Sequence, residues 1–208
     1  MGTAATGTYD LVRQPTNGSA SQEPMLVDRT HKLPQDVSPD GRSLVYGNLP
    51  TQSTNELWIL PLADRRPSLY IKHGSRLRLA PNGRWAVYAS DEFGRSQIFM
   101  QSFPTPGTKV QITTEGGNMP VWSRDGREIF YQAAGRLLAV PVSISSGTPS
   151  TGPATALFTL PSATDYDVSP DGRFLFAVPV DRDSQTPAAI LTLNWKSGLK
   201  RDGHDLIR

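Results

Sequence analysis

Ser38-Pro39-Asp40-Gly41-Arg42 returns three more times along the chain in slightly altered form: Ala80-Pro81-Asn82-Gly83-Arg84, Ser123-Arg124-Asp125-Gly126-Arg127 and Ser169-Pro170-Asp171-Gly172-Arg173. The four glycines are 42, 43 and 46 residues apart. A repeat of this length is typical of β-propellers, in which each unit is a four-stranded antiparallel blade. The spacing therefore predicts an all-β propeller of about four blades.

Each repeated phrase is predicted to be a tight turn between the first two strands of a blade. Proline presets φ at the second position of such a turn, and glycine accepts a positive φ at its end. The run after each turn is apolar at consecutive positions, as in a strand buried between two sheets. The arginine after each glycine is expected to be solvated and to pair with the neighbouring acidic residue. The turn residues expected to be structural are Asp40, Gly41, Asn82, Gly83, Asp125, Gly126, Asp171 and Gly172.

The repeats divide the chain into predicted blades at 35–75, 76–116 and 117–165, with a three-stranded last blade at 166–195 and a basic, flexible tail at 196–208. Residues 1–34 are predicted to be a partial blade of two outer strands, around Tyr9 and around Leu26. The second of these strands could complete the last blade and close a four-bladed ring. We favour the alternative, in which the chain is part of a larger ring, because closure leaves the strand around Tyr9 surplus.

Composition narrows the class of protein without naming a ligand. The chain has no cysteine, which excludes disulfides and thiolate metal sites. Its net charge of +2 matches that of the last thirteen residues. The predicted blades are therefore neutral and lack the basic stripe that is typical of nucleic-acid binding. No apolar run approaches the roughly 18 residues of a membrane span, and the first ten residues lack the pattern of a signal peptide. We therefore expect no membrane insertion by this segment.

Catalytic and metal-binding motifs are absent from the sequence. There is no Gly-Lys pair for a phosphate-binding loop and no Gly-x-Ser-x-Gly nucleophile turn. His31 and His73 precede equivalent inner strands and would need a third ligand such as Asp165, so two exposed loop histidines are the preferred interpretation. Residues 181–183 are interpreted as a solvated turn, not as a calcium loop. The sequence predicts no catalytic residue, no metal and no cofactor. The four tryptophans, Trp58, Trp85, Trp122 and Trp195, are predicted to pack between blades.

Binding is expected on one face of the propeller. The connections between blades and the loops between second and third strands share one face around the channel, and loops on a rigid scaffold are where binding usually occurs. These segments are polar here. The candidate ligand-binding residues on them are Lys32, Arg76, Glu92, Arg95, Asn118 and Asp165.

Several stretches together resemble a known family: the repeated turns, the loop Asp91-Glu92-Phe93-Gly94-Arg95, the runs at 57–62 and 136–142, and the closing Leu193-Asn194-Trp195. They are similar to the TolB-like, WD-repeat-like propellers at the C-terminus of bacterial serine/threonine protein kinases. The resemblance covers roughly residues 9–201. In that family a kinase domain and a membrane span precede the propeller, and neither is present here, so we expect a fragment or a remnant.

The resemblance implies a non-catalytic propeller that binds a protein or a peptide, as the sensing or scaffolding region of a receptor-like kinase. The alternative is the gating propeller of a prolyl oligopeptidase-type peptidase or a periplasmic TolB-like, transport-associated protein. An extracytoplasmic location is the expectation that follows from the family. Because an open array leaves blade edges uncovered, we also expect self-association.

Overall fold

A computed structural model describes residues 8–51, 54–160, 165–169, 171–177 and 189–192, and this part of the chain contains strands and no helix. No described segment could therefore cross a membrane as a long apolar helix. The strands are β1 Leu11–Arg13, β2 Glu23–Leu26, β3 His31–Val37, β4 Ser43–Thr51, β5 Thr54–Pro61, β6 Ser68–Ile71, β7 Ser75–Leu79, β8 Trp85–Ser90, β9 Gln97–Ser102, β10 Lys109–Gln111, β11 Asn118–Trp122, β12 Glu128–Ala133, β13 Arg136–Ser145, β14 Thr148–Thr151, β15 Thr155–Thr159, β16 Asp165–Val168, β17 Phe174–Ala177 and β18 Ala189–Thr192.

These strands form five antiparallel sheets in chain order. We call them the N-terminal hairpin (β1–β2), blade 1 (β3–β6), blade 2 (β7–β10), blade 3 (β11–β15) and blade 4 (β16–β18). In blades 1, 2 and 4 each strand pairs with the next one along the chain, and blade 3 follows the same order except that β15 pairs with β13, which confirms the predicted blade topology. Together they make a partial propeller. The inner strand of blade 1 begins at His31, four residues before the predicted boundary at 35, and that of blade 4 begins at Asp165.

Four apolar layers hold the sheets together. Each layer lies between two successive sheets, from the N-terminal hairpin and blade 1 to blades 3 and 4. Strand β8 shows how one strand serves two layers: Ala86 and Tyr88 pack towards blade 1, whereas Trp85, Val87 and Ala89 pack towards blade 3. Because successive side chains point to opposite faces, a strand between two sheets must be apolar on both. This explains the consecutive apolar residues after each turn.

The tryptophans support the same packing. Trp85 and Trp122 are buried together in the layer between blades 2 and 3. The Trp122 indole N–H also donates to the backbone oxygen of Arg78 in the neighbouring blade, at 3.3 Å. Trp58 is half-buried against the N-terminal hairpin, and Trp195 lies outside the described residues. The predicted packing role is therefore confirmed for the three described tryptophans.

Three of the four repeated turns, those that begin with a serine, close through hydrogen bonds of the serine hydroxyl. In blade 3, the Ser123 hydroxyl donates to Asp125 Oδ1 at 2.7 Å and accepts from the backbone N–H of Glu128 at 2.9 Å. The same bonds form around Ser38 in blade 1. In blade 4, the hydrogen bonds from Arg173 and Ser169 lower the pKa of Asp171 to about 2. The expected pairing of the turn arginine with its acidic neighbour is seen there, where Arg173 Nη2 lies 2.6 Å from Asp171 Oδ2.

The turns lie side by side along one rim. A side-chain carbon added at Gly83 would sit 3.4 Å from Pro39 of the preceding turn, and one added at Gly126 would sit 3.5 Å from Pro81. Pro39 and Pro81 thus each lie against the glycine of the next turn. The first three blades are therefore stacked in register, as the repeat predicts.

Blade 4 departs from the predicted pattern at its second strand. In blades 1 to 3 the residue before the turn pairs with a residue seven positions later, as Trp122 does with Ile129, but Val168 pairs with Phe174, only six positions later. A turn that is shorter by one residue exchanges the two faces of the following strand. Phe174 and Phe176 consequently pack on blade 3, while Leu175 is 52% exposed. The expectation that both faces of this strand are buried is wrong for the described part of blade 4.

Blade 3 contains a strand that the sequence analysis missed. The long β13 pairs with β15 near its start and with β14 near its end. Ser146 and Gly147 connect β13 and β14, both with positive φ (50° and 79°), which is the geometry of a two-residue hairpin turn. The Ser-Gly pair flanked by short polar strands was the available signal.

The N-terminal hairpin occupies the position of a preceding blade. Leu11 of β1 is buried against Tyr46 and Leu60 of blade 1, and the backbone N–H of Lys32 donates to the oxygen of Tyr9 at 2.9 Å. Arg65, in the turn after β5, forms an ion pair with Glu23 of β2. Within the described residues β2 pairs with β1 alone, and no pairing with blade 4 is seen there.

Candidate functional site

The connections between blades meet the loops between second and third strands on one face, as predicted. The backbone N–H of Gly74 donates to the oxygen of Asn55 at 3.0 Å, and that of Gly117 donates to the oxygen of Ser96 at 2.9 Å. We call this surface the channel face. Glycine is needed at both connections, since an added Cβ would lie 2.7 Å from Leu57 at position 74 and 2.8 Å from Ile98 at position 117.

A bulge in each inner strand follows these connections. In β7, Ser75 pairs with Ala89 and Arg78 with Val87, so β7 has one residue more than its partner strand. Arg76 lies inside this bulge with φ of 55°, a value that non-glycine residues rarely adopt. Met119 has the same φ inside the corresponding bulge of β11. Bulges redirect side chains, and the Arg76 side chain reaches across to blade 4.

Arg76 and Asp165 form an ion pair between blades 2 and 4. Arg76 Nη1 lies 3.1 Å from Asp165 Oδ1, and the side chains are 53% and 62% exposed. The pair borders a cavity of about 520 Å³, whose lining comes from β7, β16 and β17: Arg76, Arg78, Asp165, Tyr166, Asp167, Leu175, Phe176 and Ala177. The structure therefore brings together two of the six predicted binding residues.

Tyr166 forms the buried base of this region. Its hydroxyl donates to the backbone oxygen of Met119 at 2.8 Å, and its ring packs on Phe176 with centroids 5.7 Å apart. Burial raises the pKa of Tyr166 well above its ordinary value. Its hydroxyl is thus a neutral structural group at neutral pH, and the ring supplies apolar surface.

Lys32 was predicted to lie on the accessible binding face, and this prediction is wrong. Its side chain is completely buried, with Nζ 2.5 Å from Asp28 and 3.7 Å from Asp10. Both carboxylates lie in the segment before blade 1, so the lysine ties that segment to the inner strand β3. Truncating it would leave Asp10, which is also buried, without a counterion, and such losses cost several kcal/mol. Lys32 is therefore a structural residue.

Glu92 and Arg95 lie together on the turn between β8 and β9. Glu92 forms an ion pair with Lys109, and Arg95 lies 3.9 Å from the carboxylate of Glu115. Between them, Phe93 is 73% exposed. Asn118 lies on another element, at the start of β11, where its side-chain oxygen accepts from the backbone N–H of Met119.

The histidines do not assemble a metal site among the described residues, where no group of three or more metal-ligating side chains occurs. His31 Nδ1 accepts a hydrogen bond from the backbone N–H of Tyr9 at 3.3 Å. His73 lines a small cavity beside the connection to blade 2. Asp165, the third ligand considered from the sequence, pairs with Arg76 instead.

Sequence reasoning missed Arg78 and Phe93 as surface-forming residues. Arg78 borders the cavity beside blade 4 and a second one of about 420 Å³ beside blade 1. Two arginines close together on an inner strand, Arg76 and Arg78, were an available signal. For Phe93, the signal was an aromatic residue in the middle of a polar turn.

No family model and no curated protein matches the chain. Solved structures do. TolB from Acinetobacter baumannii is 19% identical, with a TM-score of 0.61 over 79% of this chain and 41% of that one. The β-propeller domain of the Trilobed protease from Pyrococcus furiosus, described as having an open velcro topology, is 13% identical, with a TM-score of 0.53 over 79% of this chain and 53% of that one.

The chain thus spans about half the length of these structures or less. Identities this low establish the fold alone. The repeated turns, the stacked blades and these similarities agree, and the chain has a TolB-like β-propeller fold.

Proposed function

We propose that this chain is a non-catalytic propeller module that binds a protein or a peptide on its channel face. The observation that carries the proposal is Phe93, a large apolar side chain 73% exposed on that face. Aromatic residues at binding surfaces often supply most of the affinity, with polar neighbours around them. Glu92 and Arg95 are such neighbours.

The turn that presents Phe93 is held in place, which favours binding because little freedom is lost. The backbone N–H of Gly94 donates to the oxygen of Asp91 at 2.7 Å. The Lys109 ammonium pairs with Glu92 and lies 4.4 Å from the centroid of the buried Phe99 ring. The ring centroids of Phe93 and Phe99 lie 6.1 Å apart. A partner therefore meets a pre-arranged aromatic side chain.

Linear dodecapeptides displayed on phage and selected against the full chain test the proposal. We expect Phe93→Ala to weaken the selected peptides by about tenfold or more, as truncation of an aromatic anchor does. Leu69→Ala is the matched control, because Leu69 is an exposed apolar residue on the outermost strand of blade 1. Failure to select any peptide, or equal affinity of the Phe93→Ala variant, would refute binding at this turn.

A second set of variants tests the rest of the face. Alanine is introduced together at the five predicted residues that are accessible: Arg76, Glu92, Arg95, Asn118 and Asp165. If both this variant and Phe93→Ala bind the selected peptides as the parent does, the channel face is the wrong surface.

We further propose that the module is the sensing or scaffolding region of a bacterial receptor-like serine/threonine kinase and works outside the cytoplasm. The resemblance of the turns and of the closing Leu193-Asn194-Trp195 supports this. Sequencing the genomic region for an in-frame kinase and membrane span tests it. An in-frame serine peptidase domain would instead support the gating propeller, and neither domain would refute both.

A further inference from the structure

We propose that the cavity between blades 2 and 4 binds a peptide carboxylate, which replaces Asp165 on Arg76. This inference deepens the proposed function. It rests on that function for one point only, that the ligand is a peptide. The cavity lies apart from the Phe93 turn along the chain and uses different side chains. The two sites can therefore be tested separately.

The cationic side of the cavity is formed by β7. Arg76 and Arg78 both border the cavity of about 520 Å³. A guanidinium group can donate two parallel hydrogen bonds to one carboxylate, and such charge-assisted pairs are stronger than neutral hydrogen bonds. Asp165 and Asp167 also line the cavity, but the two guanidinium groups on its β7 side supply the donors that a carboxylate ligand needs.

Arg78 is held in position by the backbone. Its Nη1 donates to the oxygens of Gln35 and Leu77, at 3.0 and 3.2 Å. Its remaining N–H groups make no hydrogen bond within the described part of the chain, and the side chain is half-buried. Holding a donor in place before binding reduces the entropy lost when the ligand arrives. Arg78 is thus a pre-arranged donor at this cavity.

In the free protein, Asp165 forms a weak ion pair with Arg76. The pair has a single hydrogen bond of 3.1 Å, and both side chains are more than half exposed. Exposed ion pairs of this kind contribute little to stability. A ligand carboxylate that engages two N–H groups of Arg76 can therefore displace Asp165, which acts as an internal competitor.

The remaining wall favours an aliphatic residue beside the carboxylate. Leu175 is 52% exposed at the cavity, and the Tyr166 hydroxyl is already used by Met119. The carboxylate itself can come from a peptide C-terminus or from an acidic side chain. These two sources share the chemistry that Arg76 recognises, and a set of capped peptides separates them.

The probes are three tetrapeptides: acetyl-Ala-Leu-Ala-Leu as the free acid, the same peptide as its C-terminal amide, and acetyl-Ala-Leu-Glu-Leu amide. Binding to the full chain is measured by isothermal titration calorimetry at low salt, where charge interactions are least screened. We expect at least one acid to bind about tenfold more tightly than the neutral amide. Equal binding of all three, or tight binding of inorganic phosphate with no binding of either acid, would overturn the proposal.

Variants of the chain provide the decisive comparison. Asp165→Asn should tighten binding of the acid by about threefold or more, because it frees Arg76. Asp167→Asn is the matched control: it removes the same charge from the same cavity, but within the described residues the Asp167 carboxylate accepts the backbone N–H of Val168 and does not pair with Arg76. Arg76→Gln should weaken the acid about tenfold. Circular dichroism checks that each variant is folded.

An equal gain in both aspartate variants would show a general charge effect and overturn the exchange of Asp165. If neither acidic tetrapeptide binds but the phage-selected peptides still bind through Phe93, this inference is overturned and the proposed function stands. If neither the tetrapeptides nor the selected peptides bind, both the inference and the proposed function are overturned.

Discussion

At the scale of single residues, the serine that opens three of the four repeated turns has a measurable role. Ser123 is buried, donates to Asp125 and accepts from Glu128, yet Ala80 occupies the equivalent position in blade 2. We predict that Ser123→Ala lowers the free energy of unfolding by about 1 kcal/mol, the usual net contribution of such hydrogen bonds. Urea unfolding followed by tryptophan fluorescence measures this difference.

Ser19→Ala is the control for the loss of a hydroxyl, since Ser19 lies in an exposed loop and, within the described part of the chain, bonds through its backbone N–H to Asn17 and not through its hydroxyl. Its unfolding midpoint should match that of the parent. If Ser123→Ala also matches the parent, the hydroxyl in the turn is dispensable and the pattern reflects backbone closure alone.

At the scale of elements, turn length decides which face of a strand is buried. The shorter turn of blade 4 places Phe174 and Phe176 on blade 3. We predict that one glycine inserted between Asp171 and Gly172 exchanges these faces, or strains the turn, because a slip of one residue reverses every side chain. Exposing even one buried phenylalanine should cost about 3 kcal/mol or more, measured by urea unfolding.

A glycine inserted next to Gly147, at the tip of the β13–β14 hairpin, is the matched control because residues 143–148 around that turn are all exposed. It should change the unfolding free energy little. An insertion in the blade 4 turn that is equally silent would show that the packing of β17 on blade 3 is not set by the turn.

The turns, the blades and the apolar layers were predictable because each follows from local sequence: proline and glycine at the turn, and two apolar faces on the next strand. The exchange of faces in blade 4 was not predictable. Ser169-Pro170-Asp171-Gly172-Arg173 has the same sequence as the first turn, and the two turns differ only in which residues pair at their base, Val168 with Phe174 and Val37 with Leu44.

The candidate site was less predictable than the fold. Arg76 and Asp165 are 89 residues apart, so their pairing depends on how blades 2 and 4 are placed around blade 3. Lys32 was misplaced because its partners, Asp10 and Asp28, come from outside its own blade. Contacts between sheets are encoded by the assembled propeller and leave no local pattern.

At the scale of the whole molecule, buried tyrosines make the free energy of unfolding fall at alkaline pH. Each apolar layer contains at least one tyrosine whose pKa is raised by burial: Tyr46, Tyr70, Tyr88, Tyr131 and Tyr166. For Tyr46 the pKa rises to about 12. An unfolded tyrosine ionises near pH 10. Their contribution is therefore complete below about pH 10 and is lost as the pH rises through the folded-state values.

We predict a fall in unfolding free energy above pH 10, with each protected tyrosine contributing about 1.4 kcal/mol per pH unit. Urea midpoints at pH 9 and pH 11 measure it. Tyr88→Phe keeps the buried ring and should reduce the difference between the two pH values. If the parent has the same midpoint at both pH values, or if Tyr88→Phe falls as steeply as the parent, the buried hydroxyls are not what couples folding to pH. A reduced slope in Tyr88→Phe alone would instead locate part of the coupling in the layer between blades 1 and 2, where Tyr88 packs.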